Sequence, residues 1–247
     1  MSVDEPSGRR LRIWAVLPTY NEAENVAPLL GALLALALDL HVVVVDDASP
    51  DGTAEIAAGV ARESPRVHVV RREGVRGLGT AYLAGFRRAI DAGADAVLTM
   101  DCDFSHDPAA VPSLVAALGS ARIVIGSRYA AGGRIENWGL YRKLLSATAN
   151  RFVRALFRLP VGDCTSGFRL YRAEVLETIP WRRVNSTGYS FLVESLYWAM
   201  RQGEGARVSE VPICFVDRVR GQSKMGAREV FHGVINLLRL RIDLFKR

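Results

Sequence analysis

Ala96-Val97-Leu98-Thr99-Met100-Asp101-Cys102-Asp103 is a short apolar run that stops on two carboxylates two residues apart. Its length and β-branched content suit a buried strand. What flanks it decides the fold. Upstream, Leu11–Leu17, His41–Val45 and Val67–Arg71 read as strands, separated by helical patterns over Ala23–Leu38, Asp51–Arg62 and Gly79–Ala92. Downstream, Pro108–Leu118 reads as a helix and Ile123–Gly126 as a strand. This alternation predicts an α/β fold, a mostly parallel central sheet flanked by helices. Beyond residue 130 the pattern loosens. Trp138–Phe157 is a basic helical stretch, Phe168–Tyr171 and Val208–Phe215 read as strands, and Tyr189–Arg201 reads as a helix.

The chain has 247 residues, 49% hydrophobic and 23% charged, which excludes a disordered tail, a collagen-like fibre and a disulfide-stapled mini-protein. Three scattered cysteines form no CxxC pair, so a reducing, cytoplasmic setting is expected and no structural zinc site. The first residues carry acids with no apolar segment behind them, which predicts no signal peptide. An apolar stretch free of charge and His runs from Val26 to Leu38 and contains Pro28 and Gly31, too short to span a membrane. Net charge is +6, but residues 122–158 alone carry eight Arg or Lys against one acid, and residues 217–247 eight against three. Charge so confined suggests an anionic partner: a phosphorylated ligand, an anionic membrane surface or nucleic acid. No RRM, KH or helix-turn-helix signature accompanies it, and acids dominate the strand ends, so no nucleic acid is expected.

Ligands of open α/β sheets sit at the carboxyl ends of the strands. There the chain places Pro18-Thr19-Tyr20, Asp46-Asp47, Asp101-Cys102-Asp103 and Ser127-Arg128. Two carboxylates leaving a strand in this pattern suit Mg²⁺ or Mn²⁺, which takes few protein oxygens and completes its shell from water and diphosphate. Asp46-Asp47 emerges from a buried run and can accept hydrogen bonds from a nucleobase or ribose; Ser49 to Thr53 reads as turn chemistry capping the next helix. Pro18 to Glu22 can frame a base, with Asn21 as a helix cap and Glu24 as its capping-box acid. Gly77-Leu78-Gly79-Thr80 reads as a turn, and the four His form no spaced metal set.

LPTYNEAENV (17–26), VVVVDDASPDGT (42–53), RGLGTA (76–81), MDCDFSHDP (100–108), IGSRY (125–129), DCTSGFRLYR (163–172) and FVDRVRGQSKMG (215–226) together resemble the family 2 glycosyltransferases of the glycosyltransferase-A, Rossmann-like fold. More narrowly they resemble the polyprenol (dolichol) phosphate mannose synthases, in consistent order over roughly residues 12 to 226. The resemblance implies inverting transfer of mannose from GDP-mannose to a polyprenyl (dolichyl) monophosphate, with Mg²⁺ or Mn²⁺. Nucleotide contacts then map onto Pro18, Tyr20, Glu22, Val44 or Val45, and Asp46 or Asp47. Metal and sugar-diphosphate contacts map onto Asp101, Cys102 and Asp103. Cys102 stands where the family has Ala, and Ser105 where other members carry Gln as a further metal contact. Arg128, Arg142 and Ser146 correspond to acceptor-phosphate residues, the last two sharing one helix face. Arg218 and Lys224 match a lid over the donor diphosphate, making Asp101, Asp103, Arg128, Arg218 and Lys224 the expected catalytic set. The turn from Asp163 to Arg169 is expected to shape the acceptor side; whether it touches substrate stays open.

A phosphate monoester has a second pKa of ~6 and is largely dianionic at neutral pH, so no general base is expected. A carbohydrate hydroxyl acceptor, the rival chemistry, would call for one; a second rival keeps the chemistry and uses UDP-glucose. The expected organisation is a catalytic domain over 1–226 and an amphipathic basic helix over 227–247, lying in a membrane interface or packed on the domain. The expected location is peripheral, on the cytoplasmic face of a membrane, with room for a membrane-spanning partner subunit.

Overall fold

The computed structural model describes residues 10–74, 77–186, 188–201, 207–217, 233 and 235–242. The elements run β1 (Ile13–Thr19), α1 (Ala23–Leu34), β2 (Leu40–Asp46), α2 (Thr53–Glu63), β3 (Val67–Arg71), α3 (Leu78–Asp91) and β4 (Ala96–Thr99). They continue with α4 (Val111–Ala117), β5 (Ile123–Ser127), β6 (Arg134–Glu136), α5 (Leu140–Phe157), β7 (Arg169–Arg172), α6 (Ala173–Thr178), α7 (Tyr189–Arg201), β8 (Val208–Pro212) and β9 (Cys214–Val216). A seven-stranded sheet has the order β3-β2-β1-β4-β7-β5-β8, and β6 pairs with β9 in a small second sheet. All pairings are parallel except those of β7, which runs antiparallel between β4 and β5. That inversion delivers the amino end of β7 to the edge where β4 and β5 end. The 163–168 turn therefore enters the same crevice as Asp101 and Arg128.

Period-two alternation divides the strands between two cores. Trp14, Val16, Val43, Val45 and Val97 pack with α3 and α7 on one face. Ile13, Ala15, Leu17, Val42, Val44 and Leu98 pack with α1 and α4 on the other. The β2 run is apolar at every central position because both of its faces are covered. α3 lies so close to β1 that a Cβ on Gly85 would overlap Cγ1 of Val16 and lie 3.1 Å from its Cγ2. Gly85→Ala would gain up to ~1 kcal/mol in helix propensity but force an overpacking cost of about 1–3 kcal/mol. Net destabilisation is expected in chemical denaturation; a variant as stable as the wild type would refute the contact.

Two expectations change. The first helix ends at Leu34 rather than Leu38, because Arg66 Nη2 donates to the Leu34 carbonyl at 3.0 Å and closes its last turn. The expected strand Val208–Phe215 is two strands in two sheets. Ile213 is the joint: its N–H donates to Ser127 O at 3.0 Å, while its carbonyl accepts from Arg134 N at 3.0 Å. At the C-terminal end residues 235–242 are helical, with Leu237 buried in the core and Leu238 and Ile242 exposed at 41% and 52%. Leu237 thus packs this segment onto the domain, while Leu238 and Ile242 face solvent.

Candidate active site

The carboxyl ends of β1 and β2 form a rigid shelf. Thr19 Oγ1 donates to Asp46 Oδ1 at 3.0 Å, and Ser49 binds the same carboxylate through Oγ (2.5 Å) and N (2.9 Å). Asp47 accepts from Gly77 N at 2.9 Å and lies 3.3 Å from Arg72 Nε. Each acid therefore secures a loop, Asp46 its own turn and Asp47 the entry to α3. The expected Asn21 cap is replaced by caps from another loop: Ser49 Oγ, Thr53 Oγ1 and Asp51 Oδ2 accept from the amides of Asn21, Glu22 and Ala23 at 3.0, 2.9 and 3.0 Å. Asn21 adopts φ 58°, outside the conformation a cap requires. Burial works against the Asp51 charge, but the Thr53 hydroxyl and the amides of Ala23 and Thr53 hold its carboxyl below the usual range. The side chains of Val44 and Val45 are fully buried on opposite faces of the sheet, and both residues pair with β1 and β3. Pro18, Tyr20 and Glu22 are half-buried at the rim.

Beside that shelf the chain leaves β4 in a tight turn. His106 Nδ1 accepts from Asp101 N at 3.1 Å, and Asp103 Oδ1 accepts from Ser105 N at 3.0 Å. Phe104 between them takes φ 60°. The His106 ring stacks on Phe168 (5.0 Å) and meets Phe215 edge-on (5.6 Å). Burial pushes the imidazole down to about 4, Asp103 opposing and Arg128 adding to the shift. It is thus neutral near pH 7 and acts as a fixed acceptor for the turn. The Cys102 thiol is pushed well up by burial and by the carboxylates of Glu22, Asp103 and Asp101, so it is no thiolate ligand.

The donors present fit a hard cation. Asp101, Asp103 and Ser105 line one cavity, and Ser105 Oγ is buried with no hydrogen-bond partner among the described residues. No group of three or more His, Cys, Asp or Glu that could cage a metal occurs among the described residues. A cation bound here takes much of its shell from its ligand, as Mg²⁺ and Mn²⁺ do.

Across the cavity, of about 240 Å³, stand Arg128, Arg142 and Ser146. Arg128 Nε and Nη2 grip Asp163 at 2.7 and 2.8 Å, and Nη2 also donates to Thr165 Oγ1 at 2.7 Å. Burial opposes the charges on both partners, but the paired hydrogen bonds hold Arg128 above and Asp163 below its usual range. Arg142 Nη1 donates to Asp217 at 2.7 Å while its guanidinium lies 4.0 Å from the centre of the Trp138 ring. Ser146 Oγ shares a 2.8 Å hydrogen bond with the Tyr129 hydroxyl. The fold thus gathers Asp101, Asp103, Ser105, Arg128, Arg142 and Ser146 in one cavity; Arg218 and Lys224 lie outside the described residues. Asp163, His106, Tyr129 and Asp217 were not singled out for these contacts. Only Asp163 had a signal, its place in the DCTSG turn.

Much of the remaining cavity wall is apolar, with Leu145, Phe152 and Val153 of α5, Leu192 and Val193 of α7, and Leu237; Thr165, Ser166, Ser190 and Asp217 add polar groups to it. α5 also exposes Leu140 (73%), Tyr141 (80%) and Leu144 (59%) to solvent. Among the described residues no helix is long and apolar enough to cross a membrane.

The chain is 42% identical to an undecaprenyl-phosphate mannosyltransferase of Micrococcus luteus, over 93% of each chain. It is also 42% identical to a polyprenol monophosphomannose synthase of Mycolicibacterium smegmatis, over 89% of this chain and 83% of that one. The fold matches the glucosyl-3-phosphoglycerate synthase of Mycobacterium tuberculosis, solved with Mn²⁺, UDP-glucose and phosphoglyceric acid. Its TM-score is 0.68 at 23% identity, covering 94% of this chain and 79% of that one. The glycosyl transferase family 2 model matches residues 14–180. With its parallel sheet of the glycosyltransferase-A type and its strand-end acids, this chain is a glycosyltransferase and belongs to glycosyl transferase family 2.

Proposed function

We propose that the enzyme transfers mannose from GDP-mannose to a polyprenyl monophosphate, releasing GDP and inverting the anomeric centre. One observation carries this reading. A single cavity joins strand-end acids and two arginines to an apolar wall that continues toward the exposed face of α5. A phosphate on a hydrocarbon chain needs both halves; a free sugar hydroxyl needs neither the arginines nor the apolar wall. The names of the 42%-identical relatives support it.

In this reading the nucleotide lies along Pro18, Tyr20, Glu22 and the shelf built by Asp46 and Asp47. Asp103, with Asp101 and Ser105, would hold Mg²⁺ or Mn²⁺, which supplies charge neutralisation for the departing diphosphate. Arg218 and Lys224 are assigned to the same diphosphate. Arg128, Arg142 and Ser146 receive the acceptor phosphate and aim one oxygen at the anomeric carbon from the side opposite the leaving group. The acceptor is already ionised, so positioning and charge compensation carry the rate rather than proton abstraction. Radiolabelled GDP-mannose and UDP-glucose, each offered with polyprenyl phosphate and Mg²⁺ or Mn²⁺, test the assignment. Label entering lipid from GDP-mannose is expected; transfer from UDP-glucose alone would replace the donor.

The same reading places the catalytic domain, 1–226, on the cytoplasmic face of a membrane. Residues 227–247 and the outer face of α5 meet the headgroups there, beside a membrane-spanning partner subunit if one serves as anchor. Leu140, Tyr141 and Leu144 with neighbouring Lys143, Arg151 and Arg154 form an apolar face bordered by cations, the composition that binds an anionic interface. Leu140→Asp combined with Leu144→Asp should lower binding to phosphatidylglycerol vesicles about tenfold, roughly 1.4 kcal/mol. Turnover of a short-chain acceptor should persist. Unchanged vesicle sedimentation would remove α5 from the interface.

A further inference from the structure

Arg128 cannot meet an anion with its two-pronged edge, because that edge is already occupied. Nε and Nη2 bind Asp163, Nη2 binds Thr165, and Nη1 makes no hydrogen bond among the described residues although Arg128 lines the cavity; the guanidinium lies 5.4 and 5.5 Å from the centres of the Tyr129 and Phe215 rings. Asp163 is fully buried and does not itself line the cavity. It also accepts from Arg128 N at 3.1 Å, so backbone and side chain of the arginine are gripped by one carboxylate.

The turn carrying Asp163 is fixed from two further sides. Glu210 of β8 accepts from Gly162 N at 2.5 Å and Asp163 N at 2.9 Å. Asn150 of α5 donates to Gly162 O at 2.5 Å and accepts from Cys164 N at 3.0 Å. Asn150 belongs to the same helix as Arg142 and Ser146. The turn therefore ties the end of β5, which holds Arg128, to the helix that holds Arg142 and Ser146, the other two residues assigned to the acceptor phosphate. Glu210 and Asn150 hold the main chain of the turn, and the Asp163 carboxylate this fixes is bonded by Arg128 through N, Nε and Nη2 and by Thr165.

We propose that Asp163 is the positioning residue of the acceptor site: it turns Nη1 of Arg128 into the cavity and sets its distance from Arg142 and Ser146. The pair is neutral as a unit, so an arginine can stand buried before any anion arrives, and the arriving phosphate meets a fixed donor instead of a mobile side chain. This inference rests on the reading of Arg128 as an acceptor-phosphate residue.

The test is a double-mutant cycle of Asp163→Asn and Arg128→Lys on the full chain, with KM measured separately for polyprenyl phosphate and GDP-mannose. Each single variant should raise the acceptor KM about tenfold or more, a charge-assisted hydrogen bond's worth, and move the donor KM by less than about twofold. The double variant should be no worse than Arg128→Lys by more than about twofold, because Asp163 acts only through the guanidinium. Effects that multiply, or that raise both KM values together, would overturn the assignment and make Asp163 a structural residue. Should Asp163→Asn fail to fold, Thr165→Val removes the hydroxyl that accepts from Nη2 at 2.7 Å and donates to Asp163 at 3.2 Å, loosening the clamp while leaving the carboxylate in place; it should raise the acceptor KM about threefold, and an unchanged value counts against the proposal. If wild-type protein transfers no sugar to polyprenyl phosphate from either donor, the functional reading fails by itself. The clamp is then decided by the Arg128 Nε–H NMR resonance, slow to exchange in wild type and fast in Asp163→Asn; equal exchange in both would overturn it.

Discussion

Asp103→Asn is expected to lower transfer a hundredfold or more, about the loss seen when one preorganised charge-stabilising group is removed from an active site, with little change in stability. The choice of Asn isolates the charge. Asp103 Oδ1 accepts from Ser105 N at 3.0 Å, a role the Asn carbonyl oxygen can keep, so the turn after β4 survives. What goes is the anionic oxygen facing the cavity that Asp101 and Ser105 also line. Turnover titrated against Mn²⁺ should need far more metal in the variant, and calorimetry should show weakened Mn²⁺-dependent GDP binding. Wild-type turnover, or activity indifferent to chelation in both proteins, would remove this carboxylate from the chemistry. The neighbouring His106 gives a useful contrast. It binds the turn through Asp101 N and stays neutral, so its replacement should disturb geometry rather than metal charge.

The first half of the chain was legible because each strand there is covered on both faces and each helix on one, so apolar runs and helical periods map directly onto layers. The antiparallel β7 was found as a strand, but its direction depends on pairing partners far away in sequence. The split of 208–215 was hidden for a related reason. No local signal announces that Ile213 gives its N–H to Ser127 and its carbonyl to Arg134, yet those two bonds carry the chain from one sheet to the other. Among site residues, the carboxylates at strand ends could be placed by position alone. Their occupations could not: Asp46 and Asp47 emerge as expected but are engaged by Ser49, Thr19, Gly77 and Arg72. Val44 and Val45 show the converse limit. They adjoin the acids in sequence, and strand alternation buries both. The exposed leucines of α5 escaped notice because a helical pattern reveals an apolar stripe without revealing what covers it.

Arg128→Ala and Arg142→Ala should both damage acceptor use, yet they should part on stability. Arg128 and Asp163 have side-chain exposures of 9% and 0%. Deleting the arginine strands a carboxylate in the interior, a loss of about 3–5 kcal/mol and, for a chain this size, a fall in Tm of roughly ten degrees. Arg142 and Asp217 are exposed at 39% and 30%, so water and salt already screen that pair and its loss should cost under about 1 kcal/mol. For activity the ranking evens out, because the proposed function assigns each arginine a charged hydrogen bond to the same acceptor phosphate. The acceptor KM should rise about tenfold or more in either variant, with the GDP-mannose KM little changed. Adding Asp163→Asn to Arg128→Ala removes the stranded charge, and should recover much of the lost Tm while leaving the acceptor KM where Arg128→Ala put it. Recovery of stability without recovery of acceptor binding separates the arginine's structural partner from its substrate. If GDP-mannose binding collapses instead and the acceptor KM holds, the donor and acceptor halves of the cavity have been assigned the wrong way round.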